Sequence, residues 1–388
     1  MNIEERLFQL GKVFSPTSPI KEKDFFYGRK NQLQQIVDAV NQTGQHGIIY
    51  GERGVGKTSL ANRIAKSLTN LYPAKITCNK QDTFKNIWKR VLNKVQYSKT
   101  TRGVGFKPTV QEHIISLGDF ISNKKKVSVA DIEGIIQSFP KTKFLLIFDE
   151  FDNITQNNIR SAFSDLIKTL SDNVDNITIV IVGIADNVEN LIGNHQSLER
   201  CLMQINMPRM SDSELNEIIT SGIDRLEMII DEKVVKEIIT FSSGFPHYTH
   251  LISKYTAKSA LERQSIEINQ EDLQKAIEKS IENTNEQLRM TYRKAIISTS
   301  STSQWKDVLF ACALAESDEF NCFSTTDILV QFNKTTGKDS KRENITYNLG
   351  KFCKEERGAV IEKIGQGRNF KYRFTNPMLK PYIKLNMK

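Results

Sequence analysis

Short apolar runs alternate with helix-period patterns through the first half of the chain. Residues 46–50, 74–77, 144–148 and 177–184 are brief, rich in β-branched or aromatic side chains and bounded by polar turns, which predicts buried strands. Helical spacing over residues 56–67, 82–95 and 129–139 falls between them. The alternation predicts a three-layer α/β domain with a mostly parallel sheet over residues 25–207. Ahead of it, residues 1–24 carry turn signals around Pro16 and Pro19 and read as an extended strap.

The pattern changes after residue 207. Ser211-Asp212-Ser213-Glu214 is a capping signal, and helix-period spacing follows over 211–230, 232–241, 248–261 and 270–284. No strand is expected there, so residues 208–297 read as a helical lid domain. The Ser/Thr-rich stretch 297–303 reads as a linker. Three helical segments (305–315, 325–333, 340–354) and two short strands (359–364, 370–374) then predict a winged helix-turn-helix over 298–388.

Composition narrows the partners. With 39% apolar residues the 388-residue chain can build cores, and a formal charge of +9 favours an anionic partner such as nucleotide or nucleic acid. The five cysteines (Cys78, Cys201, Cys312, Cys322, Cys353) form no C-x-x-C pair, which argues against a zinc site or disulfide framework and fits a reducing cytoplasm. The N-terminus lacks a signal-peptide pattern, and no window approaches the ~20 apolar residues of a membrane span. A soluble cytoplasmic protein without membrane partners is the expectation.

Chemistry concentrates at two places. Gly51-Glu52-Arg53-Gly54-Val55-Gly56-Lys57-Thr58 satisfies G-x-x-x-x-G-K-[ST] between a strand and a helix. Glycines let backbone N–H groups wrap phosphate oxygens, and the helix N-terminus, with Ser59 in its first turn, adds positive dipole. Lys57 is expected at the β- and γ-phosphates and Thr58 on magnesium. About 90 residues later the apolar strand 144–148 runs into Asp149-Glu150. Asp149 is expected to hold magnesium through water, and Glu150 to polarise the attacking water as general base. ATP and Mg²⁺ are the implied cofactors; Asp152 reads as a cap or solvated turn.

With these motifs and their flanks the chain resembles AAA+ ATPases of the origin-recognition initiator-like branch and their STAND relatives. Phe25-Phe26-Tyr27-Gly28-Arg29 resembles the F-x-G-R entry motif, which implies Gly28 and Arg29 beside the adenine. Ile181-Val182-Gly183-Ile184-Ala185-Asp186-Asn187 resembles the sensor-1 strand, with Asp186 where initiators usually have Asn. Arg200, in Gln196-Ser197-Leu198-Glu199-Arg200, stands where such ATPases offer an arginine finger to a neighbouring subunit; a solvated helix arginine is the other reading. Ser243-Gly244-Phe245-Pro246-His247 is closer to the Gly-x-Pro motif of STAND switches than to the initiators' sensor 2. That places Pro246 and His247 near nucleotide; a helix-start proline is the other reading of Pro246, and a lone histidine is more often structural.

Residues 301–388 hold 15 Lys/Arg against 10 Asp/Glu. Lys341 and Arg342 on the candidate recognition helix, with Arg368, Lys371 and Arg373 on the candidate wing, form a candidate double-stranded-DNA surface. Winged helices also dock proteins. Two functions follow from the resemblance. One is a DNA-associated, oligomeric, ATP-hydrolysing assembly factor or initiator with slow turnover. The other is a STAND-type switch of a defence or regulatory system, set by ATP against ADP and acting through a protein partner encoded nearby.

Overall fold

The structure is a computed structural model that describes residues 1–16, 28–68, 71–102, 110–185, 188–193, 198–283, 286–298, 303–318, 320–365 and 370–387. The chain divides into two compact units. One comprises Pro19–Glu52 and Gly56–Met207, the other Met1–Ser18, Arg53–Val55 and Pro208–Lys388.

The first unit is built on a parallel five-stranded sheet. Its strands are β1 (His46–Gly51), β2 (Tyr72–Thr77), β5 (Phe144–Asp149), β6 (Ile177–Ile184) and β7 (Leu202–Asn206), in the order β2-β5-β6-β1-β7. A separate antiparallel hairpin, β3 (Gln96–Arg102) and β4 (Val110–Ser116), lies between β2 and β5 in sequence. Every residue of β5 is buried, as a central parallel strand covered by helices on both faces requires. Trp88, Phe148 and Phe163 pack at the heart of one layer, with Phe148 and Phe163 ring centroids 5.0 Å apart. Four strands match the expected runs. The fifth, β7, the hairpin, and the helices Lys30–Asn41 and Asn157–Asn173 were not anticipated.

The second unit is mostly helical. Asp212–Arg225, Glu232–Ser242, Pro246–Glu262, Gln270–Glu282 and Glu286–Ile296 are followed by Trp305–Leu314, Thr325–Thr336 and Arg342–Phe352. An antiparallel hairpin, β10 (Ile361–Ile364) and β11 (Lys371–Phe374), and the helix Leu379–Leu385 end it. The capping box forms as its spacing predicts, with Ser211 N–H donating to Glu214 Oε2 at 2.9 Å. Two expectations are corrected. A short parallel pair, β8 (Ile229–Ile230) with β9 (Glu267–Ile268), lies inside the segment expected to be free of strands. The start of the chain is a helix, Ile3–Val13, rather than an extended strap, because Asn2 and Glu5 form a capping box ahead of the prolines.

That first helix belongs to the mostly helical unit. Arg6 Nε donates to the Leu226 carbonyl at 2.8 Å, and fully buried Phe14 lies against Gly222, where a Cβ would come within 2.4 Å of the ring. Among the described residues no helix is long and apolar enough to cross a membrane.

Candidate nucleotide site

The phosphate-loop motif leaves the C-terminal end of β1 and enters the helix Lys57–Ser67. Gly54 and Gly56 sit at φ 89° and 97°, a left-handed backbone that leaves glycine without strain and that anion-binding loops use. Gly51, Glu52, Arg53 and Val55 complete the loop, and Ser59 lies in the first helical turn. The Lys57 ammonium is buried and donates to the Gly51 carbonyl at 2.9 Å and the Glu52 carbonyl at 2.6 Å. Burial pushes its pKa down to about 8, against the pull of Asp152, Asp149 and Glu52.

Parallel pairing brings the acidic pair to the same edge of the sheet. β6 lies between β1 and β5, and the register sets Gly51 beside Ile184 and Phe148 beside Ile181. Ligands of open parallel sheets sit at this carboxyl edge. Asp149 is 3% exposed, and its Oδ1 accepts from the Thr58 hydroxyl at 3.3 Å and the Glu150 N–H at 3.0 Å. Glu150 is exposed, with left-handed backbone (φ 53°), and its Oε2 accepts from Asn153 Nδ2 at 3.3 Å. A glycine cradle, a buried ammonium, a hydroxyl beside a buried carboxylate and an exposed carboxylate in the next residue can hold a polyphosphate and a hard cation and polarise a water.

The other sequence candidates lie elsewhere. Asp186 falls outside the described residues, as does Arg368. Gly28 and Arg29 adopt φ 68° and 60° at the start of the helix Lys30–Asn41, with Arg29 only 2% exposed. Exposed Arg200 pairs with Asp172. Pro246 opens its helix as first-turn residue, and His247 Nδ1 is 2.8 Å from the Pro16 carbonyl. A carbonyl only accepts, so Nδ1 carries the proton, and burial lowers the ring's pKa. Lys341 and Arg342 are exposed, whereas Lys371 pairs with Asp318 at 2.8 Å and Arg373 with Glu362 at 3.0 Å.

Lys75 at this site was not read from sequence, and Asp152, which reads as a cap or solvated turn, takes part in it. Asp152 accepts the Ile184 N–H on Oδ1 at 2.8 Å, tying the turn after Asp149 to the end of β6. Lys75 on β2 reaches Asp149 Oδ2 at 2.8 Å. No spacing rule signals either, because both contacts are made across the sheet.

The family model described as Novel STAND NTPase 1 matches residues 19–298. Among solved structures, a Walker-type ATPase of Pyrococcus abyssi is similar over 96% of this chain and 99% of its own, at 13% identity and a TM-score of 0.53. The Cdc6 protein of Pyrobaculum aerophilum is similar over 97% of both chains at 15% identity and a TM-score of 0.48. The RuvB branch migration motor of Thermotoga maritima is similar over 95% of this chain and 97% of its own, at 13% identity and a TM-score of 0.44. At 13% identity the likeness to the Pyrococcus ATPase is one of fold. No curated protein sequence matches the chain.

Proposed function

This chain belongs to the Novel STAND NTPase 1 family, and we propose that it is a magnesium-dependent ATP switch that hydrolyses its nucleotide slowly and passes its state to a partner. The observation that carries this reading is the meeting of the Thr58 hydroxyl and the buried Asp149 carboxylate at the mouth of the glycine loop. Both donors are hard oxygens, as magnesium prefers, so the residues present fit the ion. Magnesium, when bound, neutralises charge on the phosphate oxygens.

The chain's own residues supply the rest. Loop N–H groups and the helix N-terminus orient the phosphates. Lys57 exchanges its two loop carbonyls for phosphate oxygens, and Glu150 takes a proton from the attacking water. Asp186 would sense the γ-phosphate and Arg200 would stabilise transferring charge in a neighbouring copy. Gly28 and Arg29 would flank the nucleoside.

The experiment is Glu150→Gln. ATP affinity is expected to stay within about threefold of wild type while turnover falls at least ~100-fold, the usual worth of a general base. Unchanged turnover would remove Glu150 from the chemistry.

A second reading keeps a winged-helix DNA-binding role for residues 298–388, favoured by exposed Lys341 and Arg342 at the head of their helix. The ion pairs of Lys371 and Arg373 with acidic neighbours count against it. ATPase rates with and without double-stranded DNA separate the two. Stimulation that vanishes with added salt supports the DNA role, and indifference with tightly held ADP supports the switch.

A further inference from the structure

Asp149 has a partner that the phosphate-loop chemistry does not require. Its Oδ1 is taken by the Thr58 hydroxyl and the Glu150 N–H, and its Oδ2 by the ammonium of Lys75 at 2.8 Å. The Lys75 side chain is 19% exposed and that of Asp149 4%, so the pair is largely shielded from water. Lys57 acts on Asp149 only through space, since its ammonium hydrogen-bonds to the Gly51 and Glu52 carbonyls.

The contact is built into the fold. On β2, Lys75 stands opposite Ile147 and Thr77 opposite Asp149, so Lys75 shares a sheet face with Thr77 and its long side chain runs forward to the carboxylate. The helix Lys57–Ser67 covers that approach. Thr58 and Asn62, four residues apart on one helix face, both turn to it, and Asn62 Oδ1 accepts from Lys75 Nζ at 2.6 Å. One helix face therefore carries the hydroxyl expected on the metal and the amide that anchors the ammonium.

We propose that Lys75 is a resident counter-cation of the metal site, which shares Asp149 with magnesium and sets how much magnesium the nucleotide needs. This rests on the reading of the site as one for Mg-ATP. With no metal present the ammonium balances the buried carboxylate and keeps it from repelling the terminal phosphate. When a divalent cation enters beside Thr58, the same ammonium opposes it and competes for Asp149. Lys75 thus weakens magnesium's hold while permitting nucleotide to bind without it.

The test follows equilibrium binding of a fluorescent ATP analogue to the full chain, first in chelator and then as Mg²⁺ is titrated. Free metal is followed independently with Mn²⁺ by electron paramagnetic resonance. Lys75→Met is expected to lower the half-saturating metal concentration by roughly tenfold and to weaken metal-free binding, as loss of one nearby unit charge requires. Lys75→Gln, which keeps a hydrogen bond to Asp149, is expected to move the same way, so the test survives if Lys75→Met folds poorly. Lys75→Arg keeps the charge and is expected to keep the wild-type half-point.

A half-point that is unchanged or raised in the neutral variants overturns the proposal, as does a fall in Lys75→Arg equal to that in Lys75→Met. Absence of nucleotide binding by the wild-type chain at any metal concentration would instead remove the Mg-ATP reading itself.

Discussion

Around Asp149 the chemistry is set by single side chains whose partners lie far away in sequence. Asp152 shows how this limits sequence reasoning: it reads as a turn residue, yet its carboxylate closes the Ile184 N–H at the end of β6. Asp152→Ala is expected to cost about 1 kcal/mol of stability, because Ile184 is 44% exposed and water can replace part of the bond. It should lower turnover more than ATP affinity, since the segment after β6 is the one expected to sense the γ-phosphate. Thermal melts with steady-state kinetics check both, and equal loss of affinity and turnover would count against a positioning role. Gly51–Thr58 and Asp149–Glu150 were legible because their chemistry needs residues close together in sequence. Lys75 was not, because sheet register brings it in, and Asp152 was not, because the turn after β5 carries it to the end of β6.

Whole elements were legible where burial is two-sided. β5 and β6 stand out as nearly continuous apolar runs, with only Thr178 and Gly183 interrupting β6 and Asp149 ending β5, as central parallel strands must. β7 is five residues long and only Leu202 and Ile205 are buried, so it left no run to find. The hairpin of β3 and β4 is rich in polar residues and so offers no apolar run either. The helix Ile3–Val13 was hidden by the prolines that follow it.

That helix leads into a close contact at its C-terminal end. A Cβ at Gly222 would meet the Phe14 ring at 2.4 Å, so Gly222→Ala is expected to destabilise the mostly helical unit by about 1–3 kcal/mol. A denaturant series reads this, and a variant as stable as wild type would show that the helix docks elsewhere.

Two buried histidines make stability depend on pH. Burial lowers His46, at the start of β1, and His250, on the helix Pro246–Glu262, to about 4 from 6.5. Between those values the unfolded chain binds more protons than the folded one, so stability rises with pH. The contribution is complete above pH 6.5 and lost as pH falls through 4, at most about 3 kcal/mol for each ring. His46 Nδ1 accepts the Ile179 N–H at 3.0 Å, which protonation would abolish. Melting temperatures from pH 7 to 4 should fall less steeply in His46→Gln than in wild type. Parallel curves would assign the acid sensitivity to other groups.

At the scale of the molecule, the chain leaves one unit, builds the sheet-bearing unit and returns. The returning part does not separate neatly at the Ser/Thr-rich linker seen in the sequence. The Tyr248 hydroxyl donates to the Met378 carbonyl at 3.3 Å, and the Tyr292 and Tyr382 rings lie 5.4 Å apart. Leu379, Ile383 and Leu385 of the last helix are each at most 1% exposed. Removing residues 376–388 is therefore expected to lower the melting temperature of the mostly helical unit by several degrees. An unchanged melt would show that the last helix adds nothing to that unit.

All of this chemistry depends on nucleotide being held at Gly51–Thr58 with Lys57 on its phosphates. Calorimetric titration of Mg-ATP into the wild-type chain and Lys57→Ala tests it most directly. One equivalent of ATP should bind to wild type, and the loss of a buried, charge-assisted donor should weaken binding at least ~10-fold in the variant. Equal affinity in the two proteins would contradict the account.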